Sequence, residues 1–264
     1  MENKQNSLNP DQGAVKSRLS RIKWMLICHV IFWLIFGILI LVVGDSELLL
    51  LINPNDIDNT HIIYKIVKLY SDVFYVLLFG TSLAVPIFLA VPKLEKYRRP
   101  MLESYTSMIL GGILVTQILK AGIARYRPFD IDSPIKDQIN LFGDTQEGRD
   151  AGSMPSGHVS TTGSVLLPHA INLKNNVVAI LISIFSAGMM YARMFLGMHY
   201  ATDVLVGNIV AVVISIATFF LFERLYRKER MKRAYEWIIY LGFAILIITL
   251  MAIQMVSVDH KFEH

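Results

Sequence analysis

WMLICHVIFWLIFGILILVVG, residues 24–44, is an apolar run broken only by Cys28 and His29. At 1.5 Å per residue a helix of about 20 residues crosses a hydrocarbon core about 30 Å thick, so the run predicts a transmembrane helix. Lys16, Arg18, Arg21 and Lys23 immediately before it give it the look of a secretory leader. A leader's apolar core is only about 7–15 residues long, and no small-x-small site precedes Asp45, Ser46 and Glu47, so a retained helix is expected. Comparable runs follow at 70–91, 101–119, 159–173, 177–195, 203–222 and 237–256. The predicted fold is all-α, a polytopic transmembrane helical bundle of about seven spans. Residues 1–23 form a cytoplasmic N-terminal tail, 24–256 the membrane domain and 257–264 a short outer tail. The fourth run is the weakest, because 159–164 is rich in Ser, Thr and Gly, a composition suited to burial among other helices.

Composition supports that class. Of 264 residues 54% are hydrophobic and 17% charged, where soluble domains carry about 25% charge, which argues against an ordinary soluble enzyme. The formal net charge is +4, but Lys and Arg sit in short clusters beside apolar runs and not along one face. They read as topology signals, with no nucleic-acid partner. A cytoplasmic N-terminus places 16 of the 25 Lys and Arg on the cytoplasmic side, as the positive-inside bias requires. Among them, the basic stretch 223–235 reads as an anchor near anionic membrane lipids. The expected location is a plasma or bacterial inner membrane. Cys28 is the sole cysteine, which excludes an internal disulfide framework and a Cys-based zinc site.

Ionisable residues at membrane depth cost about 2.5–3.5 kcal/mol each on insertion and call for an explanation. Three clusters at the mouths of apolar runs fall on the predicted outer side. The first is Lys120, Arg125, Arg127 and Pro128. Lys120 and Arg127 are seven apart, so both point one way if the helix persists, and two cations on one stripe can grip an anion or simply snorkel. Arg125 falls about 140° around the helix from Lys120 and is expected to face elsewhere. The second is Pro155-Ser156-Gly157-His158. Ser156 can cap the following helix, Gly157 lets backbone amides approach a ligand, and the helix start favours an anion. The third is Arg193, His199 and Asp203. A carboxylate four residues after a histidine can reach it on one helical face and fix its tautomer, leaving the other ring nitrogen nucleophilic. Together the clusters meet the needs of phosphoryl transfer without a metal or cofactor: cations and amides for the equatorial oxygens, one His to attack, another to protonate the leaving oxygen.

Lys120 with six residues to Arg127-Pro128, then Pro155-Ser156-Gly157-His158, then Arg193 with five to His199 and three more to Asp203, resembles the type 2 phosphatidic acid phosphatase superfamily. That family is similar at its site to vanadium haloperoxidases. The resemblance implies a six-helix core, with one further span here, and a phosphohistidine formed on His199, oriented by Asp203, with His158 as general acid. It further implies that Lys120, Arg127, Ser156, the Gly157 amide and Arg193 bind phosphoryl oxygens. The family has Ser immediately before the third-motif Arg, where this chain has Ala192. The implied substrate is a lipid phosphate or diphosphate, of the phosphatidic acid, phosphatidylglycerol phosphate or undecaprenyl diphosphate type, reached from the membrane. Transfer to another lipid or sugar is the alternative within the family, and an anion channel the alternative outside it. His29 and His169 are expected to be packing or interfacial residues, and Asp72 and Glu103 interfacial carboxylates that reach water.

Overall fold

The structure, a computed structural model, describes residues 10–130, 132–141, 152–227, 236–245 and 248. The main helices among the described residues are α1 (Pro10–Val43), α2 (Asp45–Ile52), α3 (Ile62–Ala90), α4 (Glu95–Ser107), α5 (Thr116–Ile123), α6 (Gly157–Asn172), α7 (Asn176–Phe195) and α8 (Ala201–Arg227). A π-helical segment, Met108–Val115, joins α4 to α5 as one rod, and Glu236–Ile245 forms a shorter apolar helix. The all-α expectation holds, with no strand among the described residues.

Among the described residues, five helical stretches are long and apolar enough to cross a membrane: Gly13–Val43, Ile62–Ala90, Pro92–Ile123, Asn176–Phe195 and Ala201–Tyr226. Two of the seven predicted spans are not among these five. α6 has only 16 residues, and most of its side chains are buried because α1, α3, α4, the π segment, α7 and α8 all pack around it. Half of the seventh run, 237–256, lies outside the described residues. α1 also begins earlier than the apolar run, at Pro10. Its basic residues are held there: Arg21 Nε donates to Ile171 O at 2.7 Å, and Arg18 pairs with Glu223 at 3.3 Å.

Small residues let α6 sit at the centre. A Cβ on Gly163 would lie 2.5 Å from Ala211 Cβ on α8, and one on Gly112 2.6 Å from Thr161 Oγ1. Buried hydroxyls tie the helices where apolar packing leaves polar groups: Ser104 Oγ donates to Val165 O at 2.8 Å, and Thr116 Oγ1 lies 2.8 Å from Ser160 Oγ. His29 is fully buried with Nδ1 2.9 Å from Met25 O, in line with a packing role. Glu103 does not reach water. It is fully buried, 2.7 Å from Arg99, which also pairs with Glu223 at 2.8 Å. Arg99 sits one turn earlier on the same helix and α8 supplies the second acid, so the charge is answered inside the protein.

Because Ala211 Cβ has no rotamer to escape into, Gly163→Ala is expected to destabilise the bundle by about 1–3 kcal/mol. A lowered thermal unfolding midpoint in detergent checks this, and an unchanged midpoint would refute the close α6–α8 contact.

Candidate active site

Three chain reversals at one end of the bundle bring the clusters together. α5 does not persist to Arg127. It ends at Ala124, which adopts the left-handed conformation (φ 49°, ψ 36°), with its N–H on Lys120 O at 3.0 Å. The stripe geometry expected for Lys120 and Arg127 is therefore wrong. They meet across a turn, and Pro128, which disfavours helix at Arg127, is the sequence signal for it. α7 ends in a Schellman turn: Gly197 (φ 70°) donates to Met194 O at 2.9 Å and Met198 to Arg193 O at 3.1 Å. A positive φ there suits Gly and turns the chain back so that His199 faces Arg193 across the cavity.

His199 and Asp203 do not share one helical face, because α8 starts only at Ala201. Asp203 instead sits in the first turn and reaches back, accepting from Tyr200 N at 2.9 Å as the acidic partner of a capping box does. Its Oδ2 lies 3.6 Å from His199 Nδ1, and Ser153 Oγ bridges the two, donating to Asp203 Oδ2 and lying 3.4 Å from Nδ1. Nδ1 is thus engaged on the protein side, which leaves Nε2 for the cavity.

α6 begins at Gly157 as expected, but Ser156 makes no side-chain cap, and its buried Oγ has no protein partner. Its backbone N is committed instead to Asp203 O at 3.0 Å, locking this loop onto α8. The Met154–Pro155 peptide is cis. A Cβ on Gly157 would meet only Thr116 Cγ2, at 4.0 Å, so the absent side chain leaves room beside the first amides of α6.

The result is a cavity of about 380 Å³ lined by Lys120, Arg127, Gly157, His158, Arg193 and His199. Ser156 and Asp203 lie buried immediately behind it. All eight sequence-predicted residues therefore converge. Three cations and no carboxylate line the cavity among the described residues, the potential that an anion needs. Burial, then the charges of Arg127, Arg193 and Lys120, hold the His199 imidazole well below its usual pKa of 6.5. His158 stacks on Phe74 with ring centres 4.0 Å apart and meets the edge of Tyr75 at 5.7 Å.

Several residues here escaped the sequence reading. Arg125, expected to face away, is carried back by the turn at Ala124 and donates to Asp203 Oδ1 at 3.0 Å. Ser153 and the aromatic pair on α3 carried no motif. Ser71, also on α3, accepts from Arg193 Nη1 at 2.9 Å. Ala192 itself packs in an apolar cluster with Leu48, Met189 and Val159, and a hydroxyl reaches this arginine from another helix.

A helical membrane bundle with a cation-lined cavity and two histidines defines the class. Residues 101–227 match the family model of the PAP2 superfamily. That match, just under half of the chain, supports a type 2 phosphatidic acid phosphatase-like superfamily member, and the superfamily suggests phosphatase activity on phosphate esters, often of lipids. No curated protein and no solved structure matches the chain significantly.

Two outcomes are expected from this geometry. Ser71→Ala, which removes one hydrogen bond worth about 1 kcal/mol from Arg193, should raise KM for a phosphate ester about fivefold with a smaller change in kcat. An unchanged KM would remove Ser71 from the site. Because the His199 pKa is depressed, the ring is neutral at pH 6.5 and gains its proton only in more acid solution. The acid limb of kcat/KM, corrected for the substrate's own ionisation, should therefore lie below pH 6.5; a limb above that value would contradict the assignment.

Proposed function

We propose that the protein is an integral-membrane phosphatase that hydrolyses a lipid phosphate or diphosphate through a phosphohistidine on His199. One observation carries the reading: Lys120, Arg127, Arg193, His158 and His199 line a single cavity that also has an apolar side. Phe74, Tyr75 and Leu78 of α3 and Ile113 of the π segment line the same space. Val76 and Phe79, on the outer face of α3, are 70% and 59% exposed and suited to lipid. A headgroup phosphate can rest among the cations while its apolar chain stays beside α3.

In the first step His199 Nε2 attacks phosphorus in line, the P–O bond to the leaving group breaks, and a protonated His158 gives its proton to the departing oxygen. Asp203 steadies the imidazole as it becomes cationic. In the second step water attacks the phosphohistidine, His158 takes the proton, and inorganic phosphate leaves with His199 restored. Lys120, Arg127, Arg193, the Ser156 hydroxyl and the Gly157 amide offset charge on the three equatorial oxygens. The seven-span arrangement completes the proposal. With α6 and residues 237–256 as the fourth and seventh spans and the N-terminus in the cytoplasm, the positive-inside bias puts this cavity at the outer face.

The test is phosphate release from a panel of lipid phosphates and diphosphates in detergent with excess chelator, comparing wild type with His199→Ala. Chelator-resistant release lost in the variant is expected, and His158→Ala should cost about 10²–10⁴ in rate. Equal release from wild type and His199→Ala would overturn the reading. Phosphate appearing on an added lipid or sugar acceptor, and not in solution, would make the enzyme a transferase.

A further inference from the structure

Asp45 opens α2, well before the segment that matches the superfamily, yet its carboxylate meets Arg125 and Thr202 behind the active-site cavity. Oδ2 accepts from Arg125 Nη2 at 2.6 Å and from Thr202 Oγ1 at 2.8 Å, and Oδ1 accepts from Thr202 N at 2.8 Å. Arg125 is therefore held between two acids, with Nη1 on Asp203 Oδ1 at 3.0 Å and its guanidinium 3.9 Å above the Tyr200 ring. We propose that Asp45 is a positioning residue for the nucleophile: by sharing the charge of Arg125 it leaves the Asp203 carboxylate free to stabilise His199 as the imidazole becomes cationic. The inference rests on the phosphohistidine reading.

The reasoning is electrostatic. Bonding of Nε2 to phosphorus puts positive charge on the ring, and Asp203 beside Nδ1 is the group that answers it. The other groups around His199 are Lys120 on α5, Arg127 after it, Arg193 on α7 and His158 on α6, none of which favours an imidazolium. Arg125 on the far oxygen of Asp203 opposes it too, unless its charge is drawn off. Asp45 is placed to do that. A neutral residue at 45 would act like an added cation. It would slow phosphohistidine formation and make the ring harder to protonate, while the cavity kept its grip on phosphate.

The competing role is a helix cap, since Asp45 also holds Thr202 N in the first turn of α8. Asp45→Asn separates the two, because its amide oxygen still accepts from Thr202 N while the charge, and with it the second acceptor that faces Arg125 Nη2 and Thr202 Oγ1, is lost. The experiment uses the full chain in detergent. It compares wild type, Asp45→Asn, Arg125→Gln, the double variant and His199→Ala for kcat, KM, pH profile and competitive inhibition by inorganic phosphate. Asp45→Asn is expected to lower kcat about tenfold or more, the scale seen when a group orienting a functional histidine is lost. KM and the phosphate inhibition constant should stay within about twofold, and in the Arg125→Gln background the same change should add less than about twofold. The acid limb of kcat/KM should move to lower pH. Asp45→Ser, a second neutral acceptor, must repeat the shift should Asp45→Asn fail to fold. His199-dependent release with Asp45→Asn behaving as wild type, or losing activity equally in both backgrounds without a pH shift, overturns the proposal alone. Release that is absent, or equal in His199→Ala, overturns the phosphohistidine reading and this proposal with it.

Discussion

A carboxylate shut away from water must have its oxygens answered by donors, and the first turn of α8 is where this protein meets that demand. Asp203 is fully buried and takes Tyr200 N, Ser153 Oγ and Arg125 Nη1, with His199 beside it. Each partner comes from a different piece of chain, so satisfying one acid fixes the loop after α5, the loop before α6 and the turn between α7 and α8. The backbone follows the same logic, with Ser156 N on Asp203 O and Ser153 N on Arg125 O. The position of His199 is thus a by-product of hydrogen-bond accounting in a dry environment.

The sequence motifs foretold which residues meet, but not how. The eight predicted site residues converge because their types and order already state the chemistry of phosphoryl transfer. The details that failed all turned on where helices stop. A persistent helix was expected through Arg127, and the left-handed Ala124 ends it; a shared helical face was expected for His199 and Asp203, and α8 begins after the histidine. Ser156 was expected to cap with its hydroxyl, and its backbone was used in its place. Helix ends are decided by a few local hydrogen bonds that residue spacing does not encode.

Other features were illegible for a different reason. Asp45 and Arg125 are 80 residues apart, and Ser71 and Arg193 are 122 apart, and neither Asp45 nor Ser71 belongs to a motif. Each is a common residue at the edge of an apolar run, indistinguishable from an interfacial one until the bundle is assembled. Glu103 taught the converse lesson: its position near a span end suggested water, and packing supplied Arg99.

The two ends of the bundle share a composition and differ in pairing, and that difference locates function. At one end Arg18 and Arg99 meet Glu103 and Glu223 directly, and Asn172 Nδ2 adds a bond to Glu103. Cations and acids there answer one another, so the cluster fastens α1, α4, α6 and α8 and has little to offer a ligand. At the other end the acids Asp45 and Asp203 are turned toward Arg125 and away from the cavity, while Lys120, Arg127 and Arg193 line it. Gathering three cations in a low-dielectric pocket is costly, and an incoming phosphate relieves that cost most when its own charge is greatest. A pocket strained by its own charge is therefore suited to draw in a phosphate and to hold the charge on its oxygens.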